Sequence, residues 1–201
     1  METEELILRR TFALLLLKGF DGVSITDIQR DTNLSRGLLY HYFKNKEDLF
    51  IKVTEKFFIK IFDFDLSETK RLTVEGLVHY MCQRFDKINK EILDIIAANK
   101  NTNNTSIRNY HFLFYQVMQR DSTFRNHYQK TIKKERLAWE YALTNSINKN
   151  EIRNNTNTSF SAKQLFTLTD GIWFQNIFNN NNDSMIKNLK EALFHYINLL
   201  K

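Results

Sequence analysis

The chain has 201 residues, 42% of them hydrophobic and 26% charged, which is the balance of a globular protein with a sizeable core. Its one cysteine, Cys82, excludes a disulfide framework, and its longest apolar run, Phe12–Leu17, is far too short to span a membrane. Acidic residues at the start do not fit a signal peptide, so we expect a cytoplasmic protein.

The chain contains no proline and 5 glycines, which leaves few sites for tight turns and favours helices joined by polar loops. We therefore predict an all-α fold. The net charge is +6, but residues 1–50 hold seven Lys or Arg against eight Asp or Glu. A nucleic-acid function must therefore rest on local basic residues rather than on net charge.

The first predicted element is a helix from about Glu2 to Lys18, with Gly19 as its C-cap. A second, short helix has Thr26 as a suitable N-cap and ends near Asn33, because asparagine tolerates the left-handed conformation of a tight turn. Helical spacing places Ile7, Thr11, Leu14 and Leu15 on the predicted inner side of the first helix, and Ile28 is the predicted inward residue of the second.

Ser35 can cap a third helix, in which the spacing of Leu38, Tyr42 and Leu39 predicts one buried face. The opposite face carries Arg36, Gly37, Tyr40 and His41. A glycine in a helix costs up to ~1 kcal/mol relative to alanine, but it lets the backbone approach a groove wall or a base edge. Two short helices joined by a tight turn predict a helix-turn-helix, and we interpret the third helix as its recognition helix.

The sequence features of this stretch form one set: Gly19-Phe20, Thr26 with Ile28, Leu34-Ser35, Gly37, the run Leu39–Phe43, and Lys46–Leu49. Together they resemble the DNA-binding motif of the TetR family of bacterial transcriptional regulators, over about the first fifty residues. Thr32-Asn33 stands where the family usually has Ala-Gly. The predicted DNA-binding residues are Thr26, Ser35, Arg36, Gly37, Leu39, Tyr40, His41, Lys44 and Lys46.

The remaining chain reads as a series of amphipathic helices. A connecting helix is predicted from about Lys46 to Asp65, and a long helix from about 71 to 99. Three more helices are predicted to begin at the caps Ser106, Asp121-Ser122 and Ser161, and a last helix to end near Leu200. Polar loops are predicted at 101–105 and 154–159, and four asparagines interrupt at 179–182. We predict two domains, residues 1–48 for DNA binding and 49–201 for ligand binding and dimerisation.

Two broad apolar helices at the end of the chain commonly pair across a symmetry axis, which predicts a homodimer. The predicted interface residues are Leu165, Leu168, Ile172, Ile186, Leu189, Leu193 and Ile197. The resemblance also implies a small-molecule pocket between helices of the second domain. Its candidate residues are Phe62, His79, Tyr110, Phe114, Met118, Trp139 and Trp173.

The five histidines are scattered and show no metal-ligand spacing, so neither a metal site nor a cofactor is predicted. The resemblance implies a dimeric repressor that binds a palindromic DNA operator and is released by a small-molecule inducer. Two alternatives stay open. One is an enzyme built in a helical bundle with the first fifty residues as a cap, although no phosphate-binding glycine loop or nucleophile elbow is present. The other is a DNA-binding regulator without a ligand.

Overall fold

The structure is a computed structural model that describes residues 2–59, 63–97, 107–178 and 182–201. Within these ranges it contains ten α-helices and no strand, which confirms the all-α prediction. The helices are α1 Thr3–Lys18, α2 Ile25–Thr32, α3 Arg36–Tyr42, α4 Lys46–Thr54, α5 Leu66–Thr69, α6 Val74–Ala97, α7 Ile107–Arg120, α8 Ser122–Asn148, α9 Thr158–Gln175 and α10 Asn182–Asn198. Among the described residues, no helix is both long and apolar enough to cross a membrane.

The chain divides into two compact units. Unit 1 consists of Met1–Phe62 and Lys90–Tyr128, and unit 2 consists of Asp63–Asn89 and Gln129–Lys201. Helices α6 and α8 each contribute residues to both units. The predicted domain boundary between residues 48 and 49 thus differs from this division, because α7 and part of α6 and α8 group with the N-terminal helices.

Helices α1 to α4 form the N-terminal part of unit 1, in which α1 packs against α2, α4 and α7, and α2 packs against α3. The predicted inner side of α1 is confirmed, since Ile7, Thr11, Leu14 and Leu15 are all buried. Gly19 ends the helix with φ at 68°, a left-handed value that favours glycine. A Cβ at this position would also lie 2.9 Å from Oε1 of Gln116, so space and backbone both select glycine here.

The N-cap of α2 is Ser24, so the assignment of this role to Thr26 is wrong. The Ser24 hydroxyl accepts a hydrogen bond from the Asp27 amide at 3.1 Å, and the Asp27 carboxylate accepts from the Ser24 amide at 2.9 Å. Both hydroxyl residues are suitable caps, and each is followed three positions later by a residue that could complete a capping box, Asp27 after Ser24 and Gln29 after Thr26; the structure forms the first. The helix ends at Asn33 in the left-handed conformation, as predicted.

Helix α4 continues into a π-helical turn, Glu55–Ile59. The wide turn places the consecutive residues Phe57 and Phe58 both in the core. The connecting helix does not reach Asp65 as predicted, since residues 63–65 are not helical and Asp65 is the N-cap of the short helix α5. Phe62, the predicted ligand residue, lies outside the described residues.

The helices of unit 2 pack their apolar faces on one another, with Trp139, Leu165, Leu193 and Ile197 completely buried among them. Helix α9 begins earlier than predicted, because Asn157 caps it by accepting from the Phe160 amide at 3.0 Å. The predicted cap Ser161 is instead buried inside the helix. Helix α6 runs without a break to Ala97.

We expect Ser24→Ala to lower the free energy of unfolding by about 1 kcal/mol, the usual effect of removing a serine N-cap. The alanine leaves the Asp27 amide without its acceptor and breaks the capping box. Urea unfolding followed by circular dichroism measures the change. Thr26→Ala is the matched control, and a loss of similar size in this variant would contradict the assignment of the cap.

Candidate functional site

The recognition helix α3 has a buried side and a solvent-facing side. Leu39 and the following Phe43 are 2% and 3% exposed, whereas Arg36 and His41 are exposed and Tyr40 retains 41% of its surface. Leu38 and Tyr42, predicted to be buried, are only half-buried. The prediction that the Leu39 side chain contacts DNA is therefore corrected, because this side chain packs inside and supports the helix.

The exposed side of α3 carries a short polar surface with open space around it. A guanidinium nitrogen of Arg36 lies 3.4 Å from the Tyr40 hydroxyl, and the guanidinium carbon is 5.5 Å from the centre of the tyrosine ring. A Cβ added at Gly37 would meet no described residue within 4 Å beyond its neighbours and its own helix backbone. Packing within the chain thus gives no reason for a glycine at position 37.

The residues on either side of α3 complete this surface. Ser35 caps α3 by accepting from the Leu38 amide at 3.2 Å, and both Ser35 and Thr26 on α2 are exposed. The Lys44 side chain is exposed, while its amide donates to the Asp48 carboxylate at 2.9 Å. The N-terminal ends of α2 and α3 and the Lys44 side chain can therefore reach a phosphate backbone.

Lys46 is held within the protein. Its ammonium group donates to the Phe20 carbonyl at 2.7 Å and lies 4.2 Å from the centre of the Phe20 ring. The prediction that Lys46 contacts DNA stays a prediction, but the structure gives this lysine a role in joining the start of α4 to the end of α1.

Sequence reasoning missed two residues of α7 that hold the same turn. Arg120 donates to both carboxylate oxygens of Asp21 at 2.9 and 2.8 Å, and Gln116 accepts from the Phe20 amide at 3.0 Å. These partners are 96 and 99 positions apart in the chain, and no local pattern indicates such a pairing.

The comparisons with known proteins agree with this geometry. The family model described as "Bacterial regulatory proteins, tetR family" matches residues 7–53, which contain α2, α3 and most of α1 and α4. Residues 7–53 are therefore similar to the DNA-binding region of TetR-family regulators. The comparisons with solved structures concern the fold of the remaining chain.

The chain is similar to the "Biofilm operon icaADBC HTH-type negative transcriptional regulator IcaR" of Staphylococcus epidermidis, with 29% identity over 76 residues. The match spans 37% of this chain and 41% of that regulator, so less than half of the relative's length is matched.

Solved structures of TetR-family proteins share the fold over nearly the whole chain. A TetR regulator from Haloarcula marismortui superposes with a TM-score of 0.69 at 12% identity, covering 98% of this chain and 97% of that one. FadR from Bacillus subtilis, solved in complex with stearoyl-CoA, gives a TM-score of 0.56 at 18% identity, covering 96% of each chain.

The predicted ligand residues fall into two groups. Tyr110, Phe114 and Met118 lie on α7 in unit 1, where Tyr110 stacks on Phe58 with ring centres 4.9 Å apart and its hydroxyl donates to the Phe57 carbonyl at 3.3 Å. Tyr110 and Phe114 are buried members of this aromatic core.

His79, Trp139 and Trp173 belong to unit 2. His79 is exposed and lies against Phe194, with ring centres 5.7 Å apart. Trp139 is completely buried, and Trp173 is half-buried against the same core. The ligand assignments remain predictions.

The predicted dimer residues are largely part of the core of unit 2. Leu165, Leu189, Leu193 and Ile197 are at most 2% exposed within one chain, which does not favour their assignment to a dimer interface; that assignment stays a prediction. Their apolar side chains are already covered by neighbouring helices of the same chain. Leu168, Ile172 and Ile186 are partly buried at the edge of this core. Other apolar residues of α9 face outward instead.

The structure distinguishes the two lysines near α3, and we expect different effects from their replacement. Lys44→Ala should weaken DNA binding without changing the free energy of unfolding, because its ammonium group contacts no other described residue. Lys46→Ala should lower that free energy by about 1 kcal/mol, since it removes the bond to the Phe20 carbonyl. Urea unfolding and DNA-binding titrations of both variants provide the measurement. Equal stability of the two variants would contradict this distinction.

Proposed function

We propose that the chain is a homodimeric transcriptional repressor that binds a palindromic DNA operator through α3 and is released by a small-molecule inducer. The observation that carries this proposal is the exposed side of α3, where Arg36, Gly37, Tyr40 and His41 face solvent above buried Leu39. Residues at the start of a recognition helix reach base edges in the major groove, so Arg36 is well placed to read a guanine. Such a regulator works in the cytoplasm, beside its operator.

Repression is supported by the name of the Staphylococcus epidermidis relative, which is a negative transcriptional regulator. Release by a ligand is supported by the FadR structure, whose similar fold holds stearoyl-CoA. The enzyme alternative lacks such support, because the matched family consists of regulatory proteins.

A second copy of the chain is proposed to pack on the outer side of α9. Phe160 and Phe174 of α9 are 59% and 43% exposed and share one helical stripe with Gln164, Thr167 and Gly171. Phe178, 73% exposed, lies in the 3-10 turn Asn176–Phe178 that follows α9, with its ring centre 6.0 Å from that of Phe174. A Cβ at Gly171 would meet no described residue within 4 Å outside its own helix and neighbours, so a partner helix can approach closely here. Burying three phenylalanines would contribute several kcal/mol, of order 1.5–3 kcal/mol each.

The DNA proposal is tested by selecting bound duplexes from a random library. We expect a palindrome with half-sites about one helical turn apart, ~34–36 Å, as for two recognition helices entering successive major grooves. Arg36→Ala should weaken binding to the selected duplex by about 1–3 kcal/mol and binding to random DNA much less. Equal losses on both duplexes would contradict a role for Arg36 in base recognition, and failure to select any duplex would overturn the proposed function.

Gly37→Ala is expected to change protein stability and operator affinity in opposite directions. Alanine should raise the free energy of unfolding by up to about 1 kcal/mol, because the helix gains propensity and no atom is displaced. The added methyl group should nonetheless weaken operator binding, since it keeps the backbone away from the DNA. Unchanged operator affinity would show that position 37 does not face DNA in the complex.

The dimer proposal predicts that Phe174→Glu sediments as a monomer at micromolar concentration, whereas the unmodified protein sediments as a dimer. A charge placed on the stripe has to be desolvated in the interface and has no partner there. Phe112→Glu is the matched control, because Phe112 is 60% exposed on α7 in unit 1. A dimer in both variants would exclude the outer side of α9 as the interface.

A further inference from the structure

The exposed side of α3 begins with a cation that helix stability does not favour. Arg36 is the first residue of α3, where the helix dipole is positive, and the first turn carries no acidic residue. Among the described residues, the Arg36 guanidinium interacts with Tyr40 and pairs with no carboxylate. A cation at this end of a helix is unfavourable, and no negative charge offsets it. The stability of α3 therefore does not explain Arg36.

Tyr40 holds the Arg36 side chain in two ways. A terminal guanidinium nitrogen donates to the Tyr40 hydroxyl at 3.4 Å, and the guanidinium carbon lies 5.5 Å from the centre of the tyrosine ring. A cation within about 6 Å of an aromatic ring centre is attracted to the ring. Residues four positions apart share a helix face, so the backbone brings the two side chains together. The hydroxyl and the ring thus restrict the same guanidinium.

The backbone under this pair is fixed. Ser35 caps α3 by accepting from the Leu38 amide at 3.2 Å, which holds the turn that carries Arg36. Leu39, next to Tyr40, is buried, and its carbonyl accepts from the Phe43 amide at 3.0 Å. The rotation of the Arg36 side chain is therefore the main freedom left at this position. An arginine loses much rotamer freedom when it binds, and a contact that orders it beforehand lowers this cost.

The pair keeps enough hydrogen-bonding groups for DNA. A guanidinium has five N–H groups, so four remain when one donates to Tyr40, and a guanine takes two of them at O6 and N7. The Tyr40 hydroxyl accepts from Arg36, which leaves its own hydrogen for a phosphate oxygen. Gly37 lies beside the pair and has no side chain that could cover it. Arg36 and Tyr40 can therefore contact a base and a phosphate together.

We infer that Tyr40 is a positioning residue for base recognition, whose hydroxyl and ring hold the Arg36 guanidinium toward a guanine. The partner that fits this pair is the major-groove edge of a guanine with a backbone phosphate beside it. This inference rests on the proposed function, since it concerns how α3 reads the operator. Tyr40 acts through Arg36, so it sets the preference for guanine as well as the affinity.

The test replaces guanines of the selected duplex by 7-deazaguanine, which lacks the N7 acceptor but keeps Watson–Crick pairing. Each guanine of the half-site is replaced in turn, and the affinity of the full chain is measured by fluorescence anisotropy at one salt concentration. The factor by which a replacement weakens binding is its guanine penalty. At the guanine that Arg36 reads, we expect a penalty of about fivefold or more for the unmodified protein and less than about twofold for Arg36→Ala.

Two substitutions separate the hydroxyl from the ring. Tyr40→Phe removes the hydroxyl alone and should reduce the guanine penalty about twofold, whereas Tyr40→Ala should reduce it about to the level of Arg36→Ala. Combining Tyr40→Ala with Arg36→Ala should leave the penalty of Arg36→Ala unchanged, because Tyr40 acts through Arg36. Lys44→Ala is the control. It should weaken binding to both duplexes equally and keep the full penalty, because a phosphate contact carries no base information.

A pair that only stabilised the helix would behave differently. Its loss would change the free energy of unfolding, measured in urea, and would weaken binding to the guanine and 7-deazaguanine duplexes alike. We expect Tyr40→Phe to unfold as the unmodified protein does, because the hydroxyl it removes bonds only to the exposed Arg36 side chain among the described residues. The guanine penalty therefore distinguishes positioning from a structural role.

The inference is overturned if both Tyr40 variants keep the full guanine penalty, since Tyr40 would then contact phosphate or support the helix only. The proposed function would stand after that result. If no guanine has a penalty that depends on Arg36, this inference fails together with the role of Arg36 in base recognition. Failure to select any duplex overturns the proposed function and this inference with it.

Discussion

The turn after α1 is held chiefly at Phe20, through both its backbone and its ring. Its carbonyl accepts from Lys46 at 2.7 Å, and its amide donates to Gln116 at 3.0 Å. Lys46 and Arg120 both place their cationic groups near the ring, at 4.2 and 4.3 Å from its centre. Because these partners lie on α4 and α7, Phe20 fixes the end of α1 relative to both helices. The position of the recognition helix within unit 1 depends on this arrangement.

Local signals explain why much of this region could be predicted from sequence. Gly19, Asn33 and Ser35 each have a conformational or capping preference that acts within four residues, and the structure places them as expected. Where two neighbours carry the same signal, the sequence alone does not decide between them. Ser24 and Thr26 are both suitable caps, and the structure uses Ser24 with Asp27. A helix of 7 residues is likewise too short to separate Leu38 from Leu39 by periodicity.

The later helices were harder to predict because both of their sides are apolar. On α9, Leu165 is completely buried whereas Phe174 is 43% exposed, although the two residues are equally hydrophobic. The choice of inner face is made by neighbours distant in sequence, which is why the predicted dimer residues were mostly core residues. The π-helical turn after α4 has the same origin. In this turn the Phe57 carbonyl accepts a hydrogen bond from the hydroxyl of Tyr110. Tyr110 is 53 residues away in the chain, and no local pattern identifies it as a partner.

The polar groups inside unit 2 are difficult to explain by stability. Replacing a buried ion pair by well-packed apolar residues is often neutral or stabilising by about 1–4 kcal/mol, so Arg84 and Glu135, whose charged groups are 3.3 Å apart, would be poor choices for filling a core. The second carboxylate of Asp170 makes the arrangement worse, because it raises the free energy of the ionised glutamate. Thr131 and Trp139 add buried groups without partners in the described chain, each with a desolvation cost of about 1–3 kcal/mol. A sequence shaped only for packing would carry aliphatic residues at these positions, so packing alone does not explain the residues observed.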